Sequence, residues 1–183
     1  MSRLGFLYDQ TKCIGCNACQ MACKDRHNLE MGLFFRRVET LEYVEEIEHG
    51  KVQAVRCEHF SGACNHCAKA ACVDACPTGA MHYQEDGTVA VDSKKCIGCG
   101  TCTWACPYGA PRLSHKRGVC QKCDACAELR ALGENPACVD ACLTHCLKFG
   151  QVDDAPGEDW VRDLPFLPDS SQTDPSLWIR RKG

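Results

Sequence analysis

Apolar and polar residues alternate most clearly between residues 31 and 63. Residues 38–44 read V-E-T-L-E-Y-V, an alternation typical of a strand with one buried face. Gly50 then breaks the pattern, and residues 52–55 can form a return strand. The pattern therefore predicts that residues 31–63 form a hairpin insertion.

Elsewhere the apolar stretches are short. Strands are predicted at residues 6–8 and 88–91, the second directly after the turn-forming pair Asp86-Gly87. Residues 153–183 contain no cysteine and are expected to form an extended C-terminal tail over the surface. No apolar run approaches the ~20 residues that a membrane-spanning helix needs. We therefore expect no direct membrane insertion.

Cysteine dominates the composition, with 19 of 183 residues, a level at which sulfur chemistry shapes the whole chain. The cysteines form four groups. These are Cys13, Cys16, Cys19 and Cys23; Cys57, Cys64, Cys67, Cys72 and Cys76; Cys96, Cys99, Cys102 and Cys106; and Cys120, Cys123, Cys126, Cys138, Cys142 and Cys146.

Two motifs within these groups occur twice. Residues 13–23, C-I-G-C-N-A-C-Q-M-A-C, match residues 96–106, C-I-G-C-G-T-C-T-W-A-C. The segment A-C-V-D-A-C occurs at residues 71–76 and again at 137–142. Repeats of this kind indicate one structural unit used twice.

The spacing of the cysteines distinguishes between disulfides, zinc and iron–sulfur clusters. An odd count argues against a disulfide framework, and so does the close spacing, because neighbouring thiols cannot close long loops. A zinc ribbon needs two pairs separated by a longer loop, which only the fourth group resembles. A C-x2-C-x2-C-x3-C-P run supplies three thiolates to one Fe–S cubane and the fourth to its neighbour. The spacing therefore predicts cubane clusters.

Residues 64–110 read as a continuous two-cluster module, and groups one and four, within residues 1–30 and 111–152, complement each other as a discontinuous one. The predicted fold class is α+β, with two bacterial-ferredoxin-like modules of short strands and helices around four [4Fe–4S] clusters. The predicted ligands are Cys13, Cys16, Cys19, Cys23, Cys64, Cys67, Cys72, Cys76, Cys96, Cys99, Cys102, Cys106, Cys123, Cys126, Cys138 and Cys142.

The fourth group allows two registers. Cys120, Cys123 and Cys126 can act as the leading C-x2-C-x2-C, with Cys138 or Cys142 as the fourth ligand. The alternative uses Cys123, Cys126, Cys138 and Cys142. We prefer the second register because the repeated A-C-V-D-A-C aligns its last two cysteines with those of group two.

Several residues outside the ligand pattern have simpler expected roles. Cys57, Cys120 and Cys146 are expected to be small core side chains. Trp104 is expected to pack in the interior, and His66 to be a hydrogen-bonding or surface group. Some basic residues near the groups can offset cluster charge, although most are expected to be solvated. The basic residues considered for both roles are Lys95, Arg112 and Lys122.

Charge and motifs exclude several classes of function. The net charge of −3 and pI near 6.1 provide no basic face for nucleic acid. No nucleotide-binding glycine loop, paired carboxylates or nucleophile–base signature is present. We therefore expect a non-catalytic electron-transfer protein. The alternative is an Fe–S maturation or radical-enzyme accessory protein, in which a cluster with three cysteines leaves one iron open.

The motifs together resemble the four-cluster ferredoxin subunit of molybdopterin oxidoreductases, the family of the DMSO reductase iron–sulfur subunit. The resemblance covers nearly the whole chain, including Y-D-Q-T-K-C-I-G-C-N-A-C, C-N-H-C, C-P-T-G-A-M, C-P-Y-G-A-P, K-C-D-A-C and the tail segment L-P-D-S-S-Q-T-D-P-S-L. Two residues depart from the family pattern: Ala70 replaces a usual proline, and Leu143 rather than proline follows Cys142.

The resemblance implies the partners and the location. It implies relay between a large molybdenum or tungsten bis-pterin catalytic subunit and a quinol-reactive membrane anchor subunit or a soluble redox donor. With no apolar signal stretch after Met1, the chain is expected to be cytoplasmic, or exported together with a signal-bearing catalytic subunit. Association with a membrane is expected only through a partner.

Overall fold

The computed structural model describes residues 3–47 and 51–181 and has an α+β fold. A four-stranded sheet in the order β8-β1-β10-β9 forms its centre. Strand β1 lies antiparallel to β8 and parallel to β10, and β9 pairs antiparallel with β10. The strands are β1 (Leu4–Asp9), β8 (Leu147–Gln151), β9 (Trp160–Val161) and β10 (Leu177–Arg180).

Three antiparallel strand pairs lie outside the central sheet. The longest joins β2 (Arg37–Ile47) and β3 (Lys51–Gly62), and its register shifts between Tyr43 and Val44. Gly50, the predicted turn position, lies outside the described residues. The two shorter pairs join β4 (Met81–Tyr83) to β5 (Val89–Val91) and β6 (Arg112–Ser114) to β7 (Val119–Gln121).

The strands predicted at residues 6–8 and 88–91 are confirmed within β1 and β5. Asp86 explains the short turn between β4 and β5, because its carboxylate accepts hydrogen bonds from the Thr88 N–H (2.9 Å) and hydroxyl (2.6 Å). Such local bonds favour a turn over a continued strand.

The described residues contain five short α-helices, which follow the repeated motifs. They are α1 (Ala18–Arg26), α2 (Ala71–Asp74), α3 (Thr101–Ala105), α4 (Ala127–Ala131) and α5 (Ala137–Asp140). Helices α1 and α3 follow residues in the left-handed conformation, and α2 and α5 share the sequence A-C-V-D. Helix α1 packs against α5, and α2 packs against α3. The repeats therefore meet as two helix pairs.

Glycine is needed where the two C-I-G-C repeats turn. Gly15 and Gly98 both have φ of +68°, a conformation that residues with a Cβ rarely adopt. A Cβ at Gly98 would lie 2.2 Å from the carbonyl oxygen of Gly118, and one at Gly15 would meet the imidazole of His59 at 2.5 Å. Each C-I-G-C loop therefore passes close to another segment of the chain just before its helix begins.

Cysteines form a large part of the interior. One buried cluster combines Phe6, Tyr8, Leu147 and Ile179 with cysteines from groups one, two and four. A smaller cluster packs Met81 and Val89 against cysteines on either side of α2 and α3. The apolar side chains alone would leave the core thin, because thiols occupy much of its volume.

The expectation that residues 153–183 only cover the surface is wrong for their last strand. Strand β10 lies between β1 and β9, where Leu177 and Ile179 are buried on the inner face. Alternating apolar residues in L-W-I-R give this strand one buried face, which the cysteine-free composition of the tail did not reveal.

The thiol-rich core leads to a prediction for the metal-free chain. We expect the chain without iron to lack a cooperative thermal transition, because thiolates that bind metal replace much of the apolar core of a small domain. Circular dichroism during heating of anaerobically prepared apo-protein and holo-protein measures this. A cooperative transition in the apo-protein would contradict it.

Candidate metal centre

All nineteen cysteines lie within the described residues, and none is joined to another by a disulfide. Most are buried or half-buried, and only Cys16, Cys57 and Cys99 are exposed. Isolated buried cysteines behave as small apolar side chains, but here they lie in groups whose thiols influence one another's charge. A bound metal or another bound group is therefore needed to explain why so many thiols lie close together.

One cavity has cysteines from both ends of the sequence in its wall. Three of its five cysteines come from the loop before α1 and its first turn, and the other two, Cys142 and Cys146, follow α5. Only Cys142 belongs to the repeated A-C-V-D-A-C motif, so the set combines Cys142 with these three cysteines of group one. The packing of α1 against α5 brings these segments together. We call this the Cys13 set. Its members are Cys13, Cys16, Cys19 and Cys142.

A second cavity has an equivalent wall in the other helix pair. Three of its five cysteines come from the second C-x2-C-x2-C motif, and the fourth directly precedes Pro77. The fifth, Cys120, lies outside the repeated motifs and is not counted in the set, which is named here by its fourth cysteine. The N–H of Met81 donates to the Sγ of this fourth cysteine at 3.4 Å. We call this the Cys76 set. Its members are Cys76, Cys96, Cys99 and Cys102.

Two further sets are recognised by the electrostatic influence of their thiols on one another. Burial, together with the charges of Cys138 and Cys126, raises the pKa of Cys23 to about 12. Burial also raises the pKa of Cys123 well above its usual value, and Cys23, Cys64 and Cys138 add to this. We call these thiols, one from group one and three from group four, the Cys23 set. Its members are Cys23, Cys123, Cys126 and Cys138.

The remaining set of cysteines lies beside the Cys23 set. Burial raises the pKa of Cys72 to about 12, and the charges of Cys64, Cys106 and Cys67 contribute. Burial is also the main cause that raises the pKa of Cys67 to about 12. These four residues are the Cys64 set. Its members are Cys64, Cys67, Cys72 and Cys106.

The raised pKa values of the Cys23 and Cys64 sets indicate what these two sets can bind. Four buried thiolates repel one another and lose hydration, so without a cation they resist ionisation. A metal core supplies that positive charge and turns the repulsion into coordination. Four thiolates without histidine or carboxylate are the ligands of a [4Fe–4S] cubane, so the donor chemistry fits this cofactor.

Backbone N–H groups also point at the sulfurs. The Ala125 N–H donates to Cys123 Sγ at 3.3 Å, and the Cys120 N–H donates to Cys96 Sγ at 3.3 Å. Hydrogen bonds of this kind stabilise thiolate charge and influence the reduction potential of a bound cluster.

The three cysteines outside the sets differ in their surroundings. Cys120 is buried, with its Sγ 3.2 Å from that of Cys102, and Cys146 is buried, with its Sγ 3.4 Å from that of Cys142. The core position predicted for these two is confirmed. The same prediction is wrong for Cys57, which is exposed because β3 carries it away from the core opposite Glu42.

Two other expectations concern single side chains. Trp104 is 90% exposed, so the expectation that it packs in the interior is wrong; the buried residue of helix α3 is Cys102 instead. His66 is fully buried, and its Nδ1 accepts a hydrogen bond from the Val89 N–H at 3.0 Å. Burial lowers the pKa of His66 well below its usual value, so this histidine is a neutral hydrogen-bonding group.

The basic residues also divide. Lys95 is exposed and Arg112 is half-buried, whereas Lys122 is buried. Arg36 is 2% exposed and is the largest fully buried side chain, and sequence patterns did not distinguish it from Arg37. The apolar residues before it, L-F-F, were the available signal that this position enters the core.

His27 is a further residue near a set that its sequence position did not reveal. Its Nε2 lies 3.6 Å from Cys126 Sγ and 3.7 Å from an oxygen of Asp124. Burial lowers the pKa of His27. The three side chains resemble a metal site, but the thiol already belongs to the Cys23 set, so His27 is placed to hydrogen-bond that sulfur.

No helix in residues 3–47 and 51–181 combines the length and apolar character that a membrane span requires.

Comparison with known proteins agrees with this geometry. Two family models, both described as 4Fe-4S dicluster domains, match residues 55–152 and 12–80. A chain of the anaerobic dimethyl sulfoxide reductase of Escherichia coli is 42% identical over 155 residues, which cover 84% of this protein and 76% of the relative.

Two further relatives come from other reductase and dehydrogenase systems. The thiosulfate reductase electron transfer subunit PhsB of Salmonella typhi is 40% identical, with 85% of this protein and 79% of the relative covered. A sulfite dehydrogenase subunit of Allochromatium vinosum is 37% identical, with 86% and 72% covered. The chain therefore belongs to the 4Fe-4S dicluster family and, within it, to the iron–sulfur subunits of molybdopterin oxidoreductases.

Proposed function

We propose that the four sets of cysteines are the ligand sets of the four [4Fe–4S] clusters of this electron-transfer subunit. The observation that carries this assignment is that two cavities bring the three leading cysteines of a C-x2-C-x2-C repeat together with a cysteine of the packing partner, Cys142 in one cavity and Cys76 in the other. The same exchange of the fourth ligand is the rule in two-cluster ferredoxins. The assignment favours the register of group four in which Cys138 and Cys142 are ligands and Cys120 is not.

The assignment also gives the two modules. The Cys64 and Cys76 sets lie within residues 64–110, and the Cys13 and Cys23 sets combine residues 1–30 with 111–152. Residues 31–63 are then the hairpin insertion, and residues 153–183 the C-terminal tail that returns as β10. The packing of α1 on α5 and α2 on α3 supports one pair of sets in each module.

The sets follow one another in a row. The charge of Cys138 acts on Cys19, which connects the Cys13 and Cys23 sets, and that of Cys64 acts on Cys123, which connects the Cys23 and Cys64 sets. Cys72 and Cys102 share one buried cluster, which connects the last two. Exposed Cys16 and Cys99 belong to the first and last sets. Electrons therefore enter and leave at the Cys13 and Cys76 sets.

A bound [4Fe–4S] cluster supplies reversible one-electron chemistry. The chain holds the clusters in sequence, excludes water from the inner sets and donates N–H groups to their sulfurs. The chain is a non-catalytic subunit, so the chemical reaction takes place on a partner. A maturation or radical role would need an open iron, and each set provides four thiolates.

We infer that the partner is a large subunit with a molybdenum or tungsten bis-pterin site, assembled in some systems with a membrane anchor subunit. Relatives named as one chain of a reductase, as an electron transfer subunit and as one subunit of a dehydrogenase support a complex of several subunits. Ile14 and Ile97, at equivalent positions of the end sets, are 59% and 67% exposed and suit docking beside the clusters. The location is cytoplasmic, or that of an exported catalytic partner.

Iron content tests the four sets. Four clusters of four irons each give about sixteen irons per chain and as many acid-labile sulfides. Anaerobic metal and sulfide analysis of fully reconstituted protein measures both. Zinc in place of iron, or about half the expected iron, would contradict the assignment.

Two serine substitutions at the same cavity test the register. Cys142→Ser should eliminate or alter the signal of one cluster in electron paramagnetic resonance of the reduced protein, because it removes a thiolate from the Cys13 set. Cys146→Ser is the matched control: it is four residues away and also buried beside the cavity, and it should retain all four clusters. Cys120→Ser should also retain them, and Cys138→Ser should not. A lost cluster in Cys120→Ser with Cys138→Ser unchanged would reverse the register.

Assembly tests the proposed partner. An affinity-tagged chain expressed anaerobically in its source cells should co-purify with a much larger pterin-containing subunit, identified by mass spectrometry and pterin fluorescence. Replacement of Ile14 and Ile97 by aspartate should weaken this association by about tenfold or more, since buried charge at an interface is costly. Turnover of an organic substrate by the isolated chain with an artificial donor would refute the subunit function.

A further inference from the structure

Arg36 is a buried cation with an incomplete set of partners. It directly precedes β2, and its guanidinium lies 4.5 Å from the ring centroid of Phe6. Its Nη1 donates to the carbonyl oxygen of Ser61 at 2.9 Å and to the Ser61 hydroxyl at 3.0 Å. Its Nε and Nη2 are buried and have no hydrogen-bond partner in the part of the chain that the structure describes.

A buried charge of this kind needs an anion. No carboxylate among residues 3–47 and 51–181 forms an ion pair with Arg36, and a guanidinium cannot lose its proton in a protein. Burial alone would lower the pKa of Arg36, but the charges of nearby thiolates raise it. Those thiolates are Cys138, Cys123, Cys19 and Cys23. The negative charge that faces Arg36 therefore comes from cysteines.

These cysteines belong to two neighbouring sets. Ser61 connects the guanidinium to the Cys13 set, because its hydroxyl lies 3.3 Å from Cys19 Sγ. The backbone N–H of Arg36 hydrogen-bonds the thiol of Cys23, a member of the Cys23 set. Arg36 therefore contacts the Cys23 set directly and is connected to the Cys13 set through Ser61.

Lys122 holds a comparable position in the other module. It is buried, and its Nζ donates to the carbonyl oxygens of Cys123, at 2.7 Å, and of Val89. Its acceptor Val89 shares one buried cluster with Cys72, of the Cys64 set, and Cys102, of the Cys76 set. Within the described residues it also forms no ion pair with a carboxylate.

We propose that Arg36 is a fixed countercharge shared by the clusters of the Cys13 and Cys23 sets, and that it raises the reduction potentials of both. Lys122 has the same role for the Cys64 and Cys76 sets. The inference rests on the proposed ligand sets. A cubane with four thiolates is an anion, and each reduction adds one electron and no bond. A fixed cation stabilises the more negative reduced form over the oxidised form.

Three substitutions of Arg36 separate charge from packing. Arg36→Met removes the charge and keeps the length, Arg36→Gln retains a hydrogen-bond donor for Ser61, and Arg36→Lys retains the charge. The probe is a dithionite titration of each full-length holo-protein, followed by electron paramagnetic resonance. We expect two of the four midpoint potentials to fall in each neutral variant. The reduction equilibrium constant of each of these two clusters should decrease at least tenfold, which is about 59 mV for one electron. Arg36→Lys should remain near the unmodified protein.

Two controls assign the effect. Arg37→Met changes the net charge equally at the adjacent position, but the charged neighbours of Arg37 are Arg112 and Glu39 rather than thiols, so all four potentials should stay constant. Lys122→Met should lower the other two potentials. The cysteine-to-serine variants identify which signal belongs to which set.

The outcomes separate this inference from the assignment of ligands. Four clusters with unchanged potentials in Arg36→Met and Arg36→Gln would overturn the countercharge and leave the ligand sets intact. A shift in Arg36→Lys as large as that in Arg36→Met would also overturn it, because packing would then be the cause. If Arg36→Met does not retain its clusters, the comparison of Arg36→Gln with Arg36→Lys decides. Iron content of the unmodified chain tests the ligand sets independently.

Discussion

The structure depends on the cost of placing thiolate charge in the interior. Eleven of the nineteen cysteines are buried, and burial is the main cause of the raised pKa values in the two inner sets. A chain of 183 residues can accept this concentration of buried anions only if cations share the interior. Iron supplies most of that positive charge, so metal binding and formation of the core are one event.

The same requirement explains why distant parts of the sequence meet. In the proposed ligand sets, a cluster bound by three cysteines of one motif takes its fourth ligand from another, and α1 packs against α5 across more than a hundred residues. Strand β1 then lies between β8 and β10, so the segments on either side of the first and last cysteines form the central sheet. The sheet therefore holds together the ends of the proposed discontinuous module, through strands that contain no cysteine.

The sequence predicts well the features that depend on local spacing. The cysteine repeats indicate one structural unit used twice, and Asp86-Gly87 predicts the turn between β4 and β5, because each depends on neighbours within a few residues. Trp104, Cys57 and β10 were predicted less well, since their exposure depends on which distant segment covers them. Arg36 was missed for the same reason. Two adjacent arginines are equivalent in the sequence, and only the structure shows that Arg36, directly before β2, is buried.

The buried cations connect stability with electron transfer. An arginine paired with a carboxylate would be neutralised within the protein, and its influence on a cluster would be small. Arg36 and Lys122 instead donate to carbonyl or hydroxyl oxygens, which hold the side chains in place without cancelling their charge. The full positive charge therefore remains available to the sulfurs. Because each cation lies beside two of the proposed sets, in the proposed role it raises the potentials of both members of a module together.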